Sequence, residues 1–106
     1  MKNAARLADY DRAAMLARTK MNDLLADVNL PFDGSVQGTF DSGEAPVPAG
    51  WNAVLKPFDL PPNAGPGSLI LQQIALQIWW QPLTGTRRNL VVEGYRRTRI
   101  PLMAGS

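Results

Sequence analysis

A chain of 106 residues with 45% hydrophobic and 19% charged side chains has the composition of one folded domain with a single modest core. The absence of cysteine excludes disulfides, thiol nucleophiles and thiolate metal sites; the absence of histidine removes the usual general base near neutral pH and the commonest metal ligand. The net charge of +2 is unevenly placed: residues 1–62 hold six Lys/Arg against eight Asp/Glu, and residues 63–106 hold five Arg against Glu93 alone.

The first segment, NAARLADYDRAAMLARTKMNDLLADV, spaces Leu7, Tyr10, Ala14, Ala17, Met21, Leu24 and Val28 at alternating steps of three and four. That spacing keeps one stripe on one side of a helix. Good helix formers dominate, and neither Gly nor Pro interrupts until Pro31. The pattern predicts one helix over about 3–28, roughly 39 Å long at 1.5 Å per residue. Arg6, Asp9, Arg12, Lys20, Asp23 and Asp27 fall on the other side, with both signs interspersed as on a solvated face. Toward Val28 the stripe predicts packing on a sheet. Near Leu7 and Tyr10 a sheet built from so few remaining residues no longer reaches, which leaves that end exposed or docked on a partner. No apolar run approaches the ~18–20 residues needed to cross a bilayer, and the N-terminus lacks the layout of a signal peptide.

Short strands separated by turn chemistry follow, over about 35–100. SVQGTFD alternates Val36, Gly38 and Phe40 with Gln37 and Thr39 after the Asp33-Gly34 turn signal, as a half-buried strand does. WNAVLKPF alternates more weakly, and Pro57 points to an edge strand. DLPPNAGPGS reads as a loop. The strongest strand signal is IALQIWWQ, where Ile74, Leu76, Ile78 and Trp80 recur at every second position, with LILQQ as its upstream extension. Pro82 and Gly85 in PLTGTRR close a hairpin loop of roughly six residues, and NLVVEGYRR returns. The periodicity sends Trp80 into the core and Trp79 to the other face, where it is either covered by a loop or a bare contact surface.

Catalytic constellations are hard to find. Asp9 and Asp11 lie two apart on a helix and do not face each other, and Asp41 and Glu44 sit in a turn-rich stretch. No Gly-rich phosphate motif with its Lys is present. Arg87, Arg88, Arg96, Arg97 and Arg99 offer a strip for phosphates, but Arg96 and Arg97 fall on opposite faces of any strand and cannot both serve one surface.

The order of these parts resembles a known family. ARLADYDRAAMLARTKMNDLLAD, GSVQGTFD, GWNAVLKPF and LQQIALQIWWQPLTGTRRNLVVEGYRR together look like the periplasmic portion of a type II secretion minor pseudopilin, the I-type subunit. The resemblance spans nearly the whole chain and rests most on LARTKMNDLLAD, on Gly38–Phe40 with Gly50-Trp51, and on the tryptophan-ended strand with its RNLVVEGYR return. It implies an α+β, pilin-like single domain over residues 1–106, one long N-terminal helix packed on an antiparallel sheet. It also implies a non-enzymatic role at the tip of a short periplasmic pseudopilus that exports folded proteins. The implied partners are the J-type and K-type minor pseudopilins and the major pseudopilin, with the full-length protein anchored in the inner membrane by an apolar helix half that this chain does not contain. No cofactor, metal, small-molecule substrate or nucleic acid belongs to that role. On this view Leu7, Tyr10, Ala14 and Ala17 face neighbouring helices, small alanines permitting close approach, and Trp79, Arg87 and Arg88 form a second contact. The alternative within the same resemblance is a minor type IV pilin of a pilus or DNA-uptake system, whose basic patch contacts DNA.

Overall fold

The computed structural model describes residues 2–59 and 61–102, with side chains from residue 8 onward. One helix, α1 (Lys2–Ala26), precedes four strands: β1 (Gly34–Thr39), β2 (Ala49–Asp59), β3 (Leu69–Trp80) and β4 (Arg88–Arg99). The strands form a single antiparallel sheet in the order β1-β2-β3-β4.

Side-chain alternation divides the sheet into two faces. In β3 the even positions Ile70, Gln72, Ile74, Leu76, Ile78 and Trp80 are all buried. Register aligns them with Ala49, Ala53 and Leu55 of β2, which are buried too, and with Leu90, Val92, Gly94 and Arg96 of β4. Helix α1 lies on this face and contributes Ala13, Ala17, Met21 and Leu24 to the core. Full burial of Leu55, Ile74, Leu76 and Ile78 stabilises the fold by about 1.5–3 kcal/mol for each side chain. Two glycines let large side chains close on this face. A Cβ at Gly94 would lie 2.6 Å from the Met21 sulfur, so its absence lets the helix approach β4; one at Gly38 would lie 2.9 Å from Nε1 of Trp51, whose ring covers β1.

The α+β, pilin-like class dominated by one long helix on a sheet is overturned. Among the residues described with side chains, strand accounts for 44% and helix, counted from Ala8 to Ala26, for 20%, so the fold is mostly β. Two physical misreadings explain the difference. The helical stripe does not stay buried to Val28: the helix ends at Ala26, and Val28 is 92% exposed. Its core positions run only from Ala13 to Leu24, about 17 Å of axis. β2 and β4, conversely, run one or two residues further at each end than WNAVLKPF and NLVVEGYRR. β2 as a whole is not an edge strand, because it lies between β1 and β3; Pro57 itself falls beyond Leu55, where the pairing with β1 stops, so it has β3 alone as a neighbour, next to the register shift between Pro57 and Asp59. LILQQ extends β3 as expected, giving a 12-residue strand paired along its length with β4.

Candidate interaction surface

The helix face divides at Tyr10. Its ring packs edge-on against Trp80, the last residue of β3, with centroids 5.2 Å apart. The helical backbone from Lys2 to Asp9 therefore precedes the point at which α1 reaches the end of the sheet. Of the expected interface residues, Tyr10 remains partly exposed and Ala14 is exposed, whereas Ala17 is buried in the chain's own core. The Leu7 side chain lies outside the described residues. Ala13 takes the inward place expected for Ala14: at 100° per residue it falls about 40° from the azimuth of Ala17, and Ala14 about 60° on the other side. Beside Tyr10, a cleft of about 20 Å³ is bounded by Asp9, Arg12 and Leu16 of the helix and by Pro46, Val47 and Trp80. The buried Trp80 Nε1 has no hydrogen-bond partner among the described residues.

At the other end of the helix a polar network ties α1 to the sheet. Gln72 is fully buried; its Nε2 donates to the carbonyls of Pro31 (2.8 Å) and Phe32 (2.7 Å). Arg96 Nε donates to Gln72 Oε1 at 2.7 Å, and Arg96 Nη1 donates to the helix-terminal carbonyls of Asp27 (2.8 Å) and Leu24 (3.4 Å). The guanidinium adds to carbonyls that also accept backbone N–H groups, Leu24 O from Asp27 N (3.2 Å) and Asp27 O from Leu30 N (3.4 Å), and lies at the negative end of the helix dipole. Sequence reasoning missed this pair. The signal is there nonetheless: Gln72 and Arg96 are polar residues in phase with apolar stripes, at the place of a core side chain in each strand.

The second expected contact is partly consumed by the fold. Trp79 lies on the face opposite the helix, over Gly50, where a Cβ would come within 2.6 Å of its ring. The Arg87 guanidinium sits 4.2 Å from the Trp79 ring centroid, a cation–π contact that covers the indole further. Gly85, with φ of 96°, turns the loop, and Gln81 Nε2 holds it by donating to the Gly85 carbonyl at 3.1 Å. The five arginines do not form one strip. Arg87 stacks on Trp79, Arg96 closes the helix, and Arg99 donates to the Gly67 carbonyl at 2.8 Å; Arg88 begins β4, half-exposed, and Arg97 is exposed near its end. Asp41 and Glu44 close a turn together. Glu44 N donates to Asp41 Oδ1 at 2.9 Å and Asp41 N to Glu44 Oε1 at 3.2 Å, the reciprocal pattern of a capping box.

The rest of the face opposite the helix is open. Val54, Phe58, Val91 and Tyr95 are exposed there, and the Phe58 and Tyr95 rings meet edge-to-face at 4.9 Å. Tyr95 Oη accepts from Gln73 Nε2 (3.2 Å) and donates to Glu93 (3.3 Å). Among the described residues, no helix is long and apolar enough to cross a membrane, and no three acidic side chains are grouped as a metal site would require. Among the described residues, the helix side around Ala14, much of the sheet face opposite the helix and the outer edge of β4 are uncovered. No family model matches the sequence, and no curated protein or solved structure matches it.

Proposed function

We propose that the protein is an assembly subunit that works through contacts with neighbouring subunits rather than through catalysis, and that its assembly is the tip of a type II secretion pseudopilus. On this reading the domain is periplasmic, the full-length protein is anchored in the inner membrane, and its neighbours are the J-type and K-type minor pseudopilins and the major pseudopilin. The specific assembly rests on the order of sequence motifs alone. The observation that supports a contact role is the division of α1 at Tyr10: the helix runs on beyond the end of β3, and Ala14 beside it presents a small, exposed side chain suited to close helix approach. The pilus or DNA-uptake alternative has less support, because Arg87, Arg96 and Arg99 are engaged within the chain and leave only scattered positive charge for phosphates.

Ala14→Glu tests the contact. The side chain is exposed, so the substitution leaves the thermal transition within a few degrees, whereas a charge and a much longer side chain at a close helix contact weaken co-purification with the J-type and K-type domains by at least about tenfold. Undiminished co-purification of the folded variant would remove the helix from the interface.

A further inference from the structure

We propose that the outer edge of β4 docks an acidic, extended segment of a partner protein, which adds to the sheet as a fifth strand. The proposal deepens the assembly reading by giving the partner's chemistry, and rests on that reading only for the existence of a protein partner.

The backbone supplies the first argument. β4 pairs with β3 from Arg88 to Arg99 without a register shift, and no described strand lies on its other side. About half of its N–H and C=O groups therefore face outward along 12 residues. Sheet edges are ordinarily blunted by brevity, proline, bulges or charge. The opposite edge has such protection: β1 is six residues long, starts at Gly34 with φ of 97°, and contains a second glycine. β4 has neither proline nor bulge.

Charge supplies the second argument and selects the occupant. β4 carries Arg88, Arg96, Arg97 and Arg99 against the single Glu93. Two copies pairing edge to edge would bring like charges together, which disfavours a second copy of this chain; an acidic strand meets the opposite sign. Arg96 and Arg99 are turned to internal carbonyls, so the available cations are Arg88 and Arg97 at the two ends of the edge. They lie nine positions apart, about 30 Å along an extended chain, on opposite faces of the sheet. A complementary segment thus carries two acidic residues nine positions apart. Between them its open-face side chains meet Val91 and Tyr95, both exposed, with Phe58 behind Tyr95.

The test uses a 12-residue synthetic peptide of alternating Thr and Val with Glu at two positions nine apart, and an otherwise identical peptide with Lys at both, each titrated into the ¹⁵N-labelled protein at about 50 mM salt. The Glu peptide is expected to shift and protect β4 amides selectively and to bind about tenfold more tightly than the Lys peptide. Arg97→Glu, an exposed substitution that leaves the melting transition unchanged, is expected to abolish or invert that preference. Equal binding of the two peptides, no β4 response at about 1 mM peptide, or protection of β1 instead would overturn the proposal. If the peptides fail while the protein still forms a mixed complex with pseudopilin domains, the edge proposal falls and the assembly reading stands; if the peptides bind and that complex does not form, the edge proposal stands and the assembly reading falls.

Discussion

Arg96→Ala probes the bond between helix and sheet most sharply. The side chain makes two short hydrogen bonds, 2.7 Å to Gln72 Oε1 and 2.8 Å to the Asp27 carbonyl, and a longer one of 3.4 Å to the Leu24 carbonyl. A charge-assisted bond of this kind contributes about 1.5–3 kcal/mol, and an acceptor left buried without a donor costs about 1–3 kcal/mol. The lost bond and the orphaned Gln72 oxygen are partly the same energy, and the helix carbonyls can turn to water, so the expected net loss is about 3 kcal/mol. For a domain of this size that lowers Tm by about 12–24 °C. Urea unfolding measures it as a fall in midpoint at constant slope. Gln72→Leu removes the orphaned oxygen, so Arg96→Ala combined with Gln72→Leu costs less than the two single changes added together, by about 1 kcal/mol or more. A loss below about 1 kcal/mol for Arg96→Ala, or strict additivity of the pair, would refute the assignment of this network as the helix anchor.

Three other substitutions test separate parts of the fold. Gly50→Ala forces the Trp79 ring off the sheet and is expected to cost about 1–3 kcal/mol in the native background, but to be neutral or slightly stabilising beside Trp79→Ala; the same cost in both backgrounds would mean that the ring is not what demands glycine. Trp80→Phe keeps most of the apolar packing and removes a buried unpartnered donor, so urea titration should place it within about 1.5 kcal/mol of the native protein, against about 3–5 kcal/mol lost by Trp80→Ala; similar losses from the two would contradict the packing role. Val28→Asp should change the unfolding midpoint by no more than about 0.5 kcal/mol equivalent, whereas Leu24→Ala should cost about 2–5 kcal/mol; a large effect at Val28 would restore the longer helical stripe.

The β3–β4 hairpin is legible in the sequence because its signals agree: period-two burial through Ile74, Leu76, Ile78 and Trp80, a positive-φ Gly85 in the loop, and a β-branched return strand. The helix is legible as a helix but not in its reach, since periodicity states which side of a helix is apolar and not how much sheet lies beneath it. The predominance of strand escapes the sequence for a related reason. Pro57 carries the local signal of an edge and does lie beyond Leu55, where pairing with β1 stops, but one local signal does not reveal that the rest of β2 runs inside the sheet. For Trp79, periodicity alone leaves both cover and contact open. Its cover comes from Gly50 beneath and Arg87 above, and the first of these is a long-range juxtaposition that no local pattern encodes. Ala14 and Ala17 illustrate the limit for interfaces: two alanines three apart in one stripe end up one exposed and one buried, a difference set by where the sheet lies beneath the helix.

The contact role is tested most directly by light scattering on size-exclusion fractions of this chain mixed with the periplasmic domains of J-type and K-type minor pseudopilins. The expected result is a single species whose mass is that of a mixed complex, formed by the native chain and diminished by Ala14→Glu. Separate elution of all three proteins at concentrations of about 100 μM, well above the micromolar range of transient protein contacts, would contradict the proposed assembly.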